Sequence, residues 1–144
     1  MWQPPPMPKP ASAPWGLIIS EADFKRLKKG LEPESMDDKY QIKATEDSDS
    51  GAVTIHWVRA FHDEFWSLVI KKYDDDNSNT IYRIDTINWA QVHSTVPISE
   101  ALAKKQVVVL SRCNLECDFE AAPAYDEPDF YDEPAEDNIV NGTK

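Results

Sequence analysis

The stretch YQIKATEDSDSGAVTIHWVRAFHDEFWSLVIKKYDDDNSNTIYRIDTINW, residues 40–89, decides the fold. Tyr40, Ile42 and Ala44 alternate with Gln41, Lys43 and Thr45, the period-two pattern of a half-buried strand. A polar turn from Glu46 to Gly51 follows. Val53, Ile55 and Trp57 then alternate with Thr54, His56 and Val58 in a run that continues toward Phe61. After a turn at His62-Asp63-Glu64, Trp66, Leu68 and Ile70 alternate with Ser67 and Lys71, and Val69 is an apolar residue on the opposite face. Asp74-Asp75-Asp76-Asn77-Ser78-Asn79 separates this run from a fourth, Ile81 to Trp89. The fourth run carries Ile81 and Ile87 on one face and Tyr82 and Ile84 on the other, as expected of a central strand. The turns are too short for the crossover of about a dozen residues that parallel neighbours need. The prediction is a four-stranded antiparallel meander.

A helix is expected on each side of the meander. Ser20 is a good N-cap, Asp23 stands in the capping-box position, and Ile19 and Phe24 occupy the positions of a hydrophobic staple. Phe24, Leu27 and Leu31 recur at helical spacing, and Gly30 supplies the stop. Lys25, Arg26, Lys28 and Lys29 fall late in the helix, where its dipole favours cations. Pro97 and Ser99 open a second helix running to about Phe119, with Ile98, Leu102, Val109 and Cys113 roughly on one stripe. The β-branched Val107-Val108-Val109 lowers helix propensity, so a fifth strand at Gln106–Leu110 is the alternative. Helix is favoured, because Leu102 to Gln106 is strongly helical and no turn residue interrupts before Asn114. The fold class is therefore α+β: an N-terminal helix, a four-stranded antiparallel meander, and a C-terminal helix packed on one face.

The flanks read differently. Residues 1–15 hold six prolines, Pro4, Pro5, Pro6, Pro8, Pro10 and Pro14, a composition that favours polyproline II and opposes ladder pairing. They are expected to form a stiff disordered tail; Pro5-Pro6-Met7-Pro8 also has the spacing of an SH3- or WW-type ligand. Residues 118–137 hold nine acids and no Lys or Arg, within a chain of 144 residues and net charge −11. There Tyr125-Asp126-Glu127-Pro128 recurs as Tyr131-Asp132-Glu133-Pro134. Residues 120–144 have little to bury and are expected to be a disordered acidic tail, leaving 16–119 as the folded domain. Trp57, Trp66 and Trp89 are expected to build the core, Trp15 to pack at its edge, and Trp2 to be exposed.

Composition excludes several classes. No basic face stands out, so nucleic acid is not an expected partner. No segment reaches about 18 consecutive apolar residues, so no membrane span is expected. The prolines at the N-terminus leave no room for the apolar stretch of a signal peptide, and an intracellular location is inferred. Cys113 and Cys117 make neither a disulfide framework nor, by themselves, a zinc site. No cofactor or metal is expected.

Ser20 to Trp89 resembles a family of small uncharacterised fungal and bacterial domains with the pattern DFxRLKxGLxPxxMDDKW…HxxRSWTG…IxxIxWE. The matching residues are Glu21 to Leu31, Met36-Asp37-Asp38-Lys39-Tyr40, His56 to Phe61, Leu68-Val69-Ile70 and Ile84 to Trp89, about half of the chain. Tyr40 replaces the family's Trp, Ala60-Phe61-His62-Asp63 replaces Ser-Trp-Thr-Gly, and Ala90 stands where Glu would follow Trp89. The resemblance implies the fold. It also implies that, if the Arg-Ser-Trp-Thr-Gly segment is the family's working site, this chain has altered it.

The residues that invite testing as a ligand site are Asp37, Asp38, Lys39, His56 and Arg59, with His62 nearby. Paired carboxylates serve acid–base or metal chemistry when they share a site, but neighbours on a strand point to opposite faces. Asp37 and Asp38 therefore read first as a capped turn entering the sheet. His56 and His62 would lie about 20 Å apart at roughly 3.3 Å per residue, too far for a shared ligand, and each reads as a surface histidine. Arg59 is expected to pair with Asp37 or Asp38. No phosphate loop and no hydrolase or metalloprotease motif is present. The leading expectation is a non-enzymatic intracellular protein-binding or adaptor domain, a monomer or weak homodimer by strand addition, with the two tails as accessory arms. The alternative is a small enzyme or ligand-binding domain with a site near Asp37, Asp38 and Arg59. A third possibility is an acidic inhibitor that mimics nucleic-acid charge.

Overall fold

A computed structural model describes residues 4–32, 40–59, 63–93, 95–125, 130, 131 and 133. Its elements in chain order are β1 (Pro10–Ile19), α1 (Glu21–Lys29), β2 (Tyr40–Glu46), β3 (Val53–Arg59), β4 (Glu64–Asp74), β5 (Thr80–Ala90), the short pair β6 (Val92–His93) and β7 (Val96–Pro97), and α2 (Glu100–Leu115). The meander forms as its alternation predicts. Strands β2 to β5 pair antiparallel with their chain neighbours.

The sheet has five strands rather than four, in the order β1-β5-β4-β3-β2. The added edge strand is the proline-rich stretch, so residues 10–15 belong to the folded sheet. Backbone parity explains how prolines enter a ladder. The amide of Gln91 donates to the Lys9 carbonyl, and Pro10 and Pro14 lie opposite Ala90 and Thr86. Odd-numbered residues of this stretch therefore turn their backbone groups toward β5, while Pro10, Ser12 and Pro14 turn theirs outward. The missing N–H groups lie on the free side of an edge strand, the one place in a sheet where proline costs no bond.

β5 is central, between β1 and β4, but its apolar residues do not divide between two faces as expected, and of Ile81, Tyr82, Ile84 and Ile87 only Ile81 stays on the outer face. Val69 pairs with Thr86 and Ile70 with Ile84, leaving Asp85 as an extra residue. This bulge shifts the parity and brings Tyr82, Ile84, Ile87 and Trp89 onto one face. That face also carries Trp57, Trp66, Ile42, Ile55, Leu68 and Ile70 and forms the core. β1 answers with its own irregularity at Trp15-Gly16, where Gly16 takes a positive φ of 73°.

Both helices cover the core face, the segregated arrangement of an α+β domain. α1 starts and stops where expected: the Ser20 hydroxyl accepts from the Asp23 amide at 3.0 Å, and Gly30 caps the end. Gly30 has φ 73°, and a Cβ there would run into the Ile42 carbonyl, because Leu31 pairs with Ile42 across the outer side of β2. Phe24 stacks on Tyr82 with ring centroids 4.3 Å apart.

Residues 106–110 are helical, as favoured, but α2 ends at Leu115, short of Phe119. Its stripe also differs from the expected one. Leu102, Ala103, Lys105, Gln106, Val107, Val108 and Ser111 are buried, whereas Cys113 is exposed. Beyond Leu115 the chain folds back instead of leaving. Glu116 takes a left-handed conformation, Phe119 is fully buried, and the Arg112 guanidinium donates to the carbonyls of Asp118, Phe119 and Pro123 at 3.1, 3.0 and 2.8 Å. The Asp23 carboxylate, too short to return to Ser20 in a capping box, accepts instead from the amides of Asp118 and Phe119 at 2.9 and 2.8 Å. Tyr125 and Phe130 also pack on the core, so a wholly detached tail after residue 119 is not what the described residues show. Trp15 packs at the core edge as expected, with the Lys104 ammonium 5.7 Å from its ring centroid. Trp2 lies outside the described residues.

Candidate binding site

The end of the sheet where β2 begins, β3 ends and β4 begins is built almost wholly of rings. Tyr40 opens β2 and lies opposite Arg59, the last residue of β3. Trp57 pairs with Trp66 and Val58 with Glu64, which makes Phe65 the extra residue of a bulge. Phe65 and Trp66 thereby stand edge to face at 5.6 Å, and Tyr40 lies 5.7 Å from Trp66. After β5 the chain doubles back. Trp89 Nε1 donates to the Ile98 carbonyl at 2.9 Å, and the Ile98 amide donates to Gln91 at 2.7 Å. This reversal sets His93, on β6, against the same rings: stacked on Phe65 at 4.1 Å and edge-on to Trp66 at 5.0 Å.

Into this cradle the chain inserts its own second acidic repeat. Phe130 meets the Trp66 ring at 6.3 Å, and Tyr131 meets His93 at 6.0 Å, with its hydroxyl 3.4 Å from His93 Nδ1. Two residues on, the Glu133 carboxylate accepts the Ser99 hydroxyl proton at 2.8 Å. Ser99 is the N-cap of α2, where partial positive charge favours an anion. Aromatic edge-to-face contacts and a carboxylate at a helix start thus hold three residues of the tail.

Burial and charge set the protonation of the cradle. Burial, helped by the Arg59 charge, lowers the His93 pKa to about 4, so the ring is neutral at pH 7. Burial raises the Tyr40 phenol, with Tyr131 adding and Arg59 opposing. The sign of the consequence for stability follows from linkage. The unfolded chain takes up a proton at His93 near the usual 6.5, and the folded chain only near 4. The contribution is therefore complete above pH 6.5 and lost as the pH falls to 4, by about 2 kcal/mol after allowance for solvent. Denaturant unfolding at pH 7 and pH 4 should show a pH-dependent loss smaller by that amount in His93→Phe, which keeps a ring against Phe65. Equal losses in the two proteins would refute the assignment.

The expected site residues divide between two faces and the undescribed segments. Asp37, Asp38, Lys39 and His62 lie outside the described residues. Arg59 is at the cradle, half-buried, and no described carboxylate pairs with it. His56 is not a surface histidine: it is 8% exposed, on the opposite face of the sheet. There its Nδ1 bonds the Glu64 carboxylate and its Nε2 the Thr45 hydroxyl, the latter at 2.9 Å. This relay pins β2, β3 and β4 together on the polar face. A second polar knot surrounds the Asp85 bulge. Tyr73 donates to Asp85 at 2.6 Å and Arg83 at 2.8 Å, and Lys71 lies 3.8 Å away. Against the opposing effect of burial, these bonds and charges hold the Asp85 carboxyl below its ordinary value.

Sequence reasoning assigned Tyr40 and Trp66 to the sheet and Ser99 to a helix start without seeing a cradle. It read Tyr131 and Glu133 as part of a repeat, with the two acidic-flanked tyrosines as phosphorylation or docking motifs only in the less favoured reading, and passed over Phe65, His93 and Phe130. One signal was available: Phe130-Tyr131 places two rings side by side in an otherwise acidic segment, which the first repeat does not. Cys117 is an inert thiol, pushed up to about 12 by burial and by the adjacent Asp23. No group of three or more metal-ligating side chains occurs among the described residues, and no helix there is long and apolar enough to cross a membrane. Comparison with family models finds no match, and none is found among curated proteins or among solved structures.

Proposed function

We propose that the chain is a non-enzymatic protein-binding domain, acting inside the cell as a monomer or weak homodimer. Its working surface is the aromatic cradle of Tyr40, Arg59, Phe65, Trp66 and His93. The observation that carries this reading is the seating of Phe130, Tyr131 and Glu133 in that cradle. A site that accepts a short aromatic–acidic segment in cis has the chemistry to accept one from a partner, with the chain's own tail as the competitor. Arg59, the arginine of the Arg-Ser-Trp-Thr-Gly segment in the family that the chain resembles, stands at this surface.

The test uses a labelled peptide of residues 126–136 and the full-length chain. The peptide should bind the variant carrying Phe130→Ala and Tyr131→Ala about tenfold or more tightly than it binds the unaltered chain, because a tethered competitor has a millimolar effective concentration. Equal affinity for the two proteins, or no binding to either, refutes the reading. A second reading, a small enzyme or ligand-binding domain at Asp37, Asp38 and Arg59, is favoured by one observation, the unpaired Arg59 cation among the described residues. It predicts that Arg59→Gln abolishes small-anion binding in a chain whose peptide affinity is unchanged.

A further inference from the structure

Two groups in the cradle lack, among the described residues, the partners that their chemistry calls for. The Arg59 guanidinium has five N–H donors in a planar fork. It lies close enough to His93 and Tyr40 for its charge to act on both, yet no described acceptor takes any of its donors. His93 is only 3% exposed, and its Nε2 has no hydrogen-bond partner among the described residues. The Tyr131 hydroxyl enters the same cradle, 3.4 Å from His93 Nδ1, a weak contact at the long end of hydrogen bonding. A neutral phenol offers a single oxygen to a site furnished with one cation and one imidazole. A phosphate ester offers three acceptor oxygens and nearly two negative charges, which suits an arginine fork.

We propose that the cradle reads an aryl phosphate, and that Tyr131, once phosphorylated, is its resident ligand, with Arg59 and His93 holding the phosphoryl oxygens. This rests on the cradle being the binding surface, and it names the chemistry and the regulation of that surface. Tyr131 is 37% exposed at the rim and is flanked in sequence by Asp129, Asp132 and Glu133. The modification needs a protein tyrosine kinase and a nucleoside triphosphate. The Oη–phosphorus bond forms as the bridging bond to the β-phosphate breaks, the nucleoside diphosphate leaves, and the kinase's base takes the phenolic proton. The nearby acids oppose the added charge, and the fixed Arg59 cation offsets them. Phosphorylation therefore tightens the latch between tail and domain and closes the cradle to other peptides.

The experiment compares two peptides of residues 126–136, with and without phosphate on the tyrosine, binding to the full-length variant that carries Phe130→Ala and Tyr131→Ala. The phosphopeptide should bind at least about tenfold more tightly, as charge-assisted bonds replace neutral ones. Adding Arg59→Gln should remove that advantage, so that the two peptides bind the variant within about twofold of each other. A phosphopeptide that binds equally or more weakly, or an advantage that survives Arg59→Gln, overturns the inference while leaving the binding function intact. Binding of neither peptide overturns both. A second measurement does not need the emptied cradle. In the otherwise unaltered chain phosphorylated at Tyr131, an added tyrosine phosphatase should remove the phosphate severalfold more slowly than from the free phosphopeptide, and Arg59→Gln should restore the free rate. Equal rates before that substitution count against the inference.

Discussion

Asp23→Ala is expected to destabilise the domain by about 3–5 kcal/mol, the cost of leaving buried partners of a charged group unmatched. The carboxylate is 1% exposed. It accepts from the amides of Asp118 and Phe119, and Arg26 approaches it at 3.4 Å while also donating to the Glu116 carbonyl at 3.0 Å. Alanine leaves the Phe119 amide in an apolar interior without an acceptor. It also releases the segment that carries Phe119, the ring that closes the core beneath α1. Asp23→Asn keeps one acceptor oxygen and should cost less than half as much. Urea denaturation measures the loss. Amide exchange should show its origin as fast exchange at residues 117–119 before the sheet opens. A loss under about 1 kcal/mol for Asp23→Ala would show that the segment is held by Phe119 packing and Arg112 alone.

Trp66→Ala should cost a similar 3–5 kcal/mol, the range for emptying a large buried aromatic site. It should also do what no other core substitution does, which is to release the tail. Trp66 is fully buried, pairs with Trp57 and Trp89 across the sheet, and makes edge-to-face contacts with His93 and Phe130. It is at once a wall of the core and the floor of the cradle. Leu68→Ala, one pair of residues along the same strand, should lower stability by a comparable about 2–5 kcal/mol and leave the tail docked. Limited proteolysis after residue 125 separates the two: accelerated cleavage in Trp66→Ala alone is the expected result, and equal cleavage in both variants would mean that the tail responds only to global stability.

The meander was legible because period-two alternation survives in β2, β3 and β4, where one face is core and the other polar. It failed in β5 because one extra residue, Asp85, inverts the parity mid-strand, and nothing in Ile84-Asp85-Thr86-Ile87 announces that a carboxylate will be turned outward to meet Tyr73 and Arg83. It failed in β1 because proline was weighed by composition rather than by position. The two prolines inside the strand, Pro10 and Pro14, both fall on even numbers, and Ala11 and Ala13 fall between them, which is the alternation of an edge strand. The cradle was the least legible part. Its rings come from β2, β4, β6 and the tail, separated by up to about 90 residues of chain, and His56, the histidine that sequence reasoning did single out, belongs to a structural relay on the far side of the sheet.

The outward-facing prolines have a consequence for how copies of this chain behave at high concentration. From Pro10 to Pro14 only Ser12 offers an outward N–H, so a foreign strand laid along that flank would find one donor where it needs three. On the opposite flank, the Leu31 bridge occupies β2 at Ile42, near its start. Fibril growth and strand-swapped dimers both start from such flanks. The proline flank is thereby a poor template for a foreign strand, and the aromatic end of the sheet is left to meet other proteins through side chains.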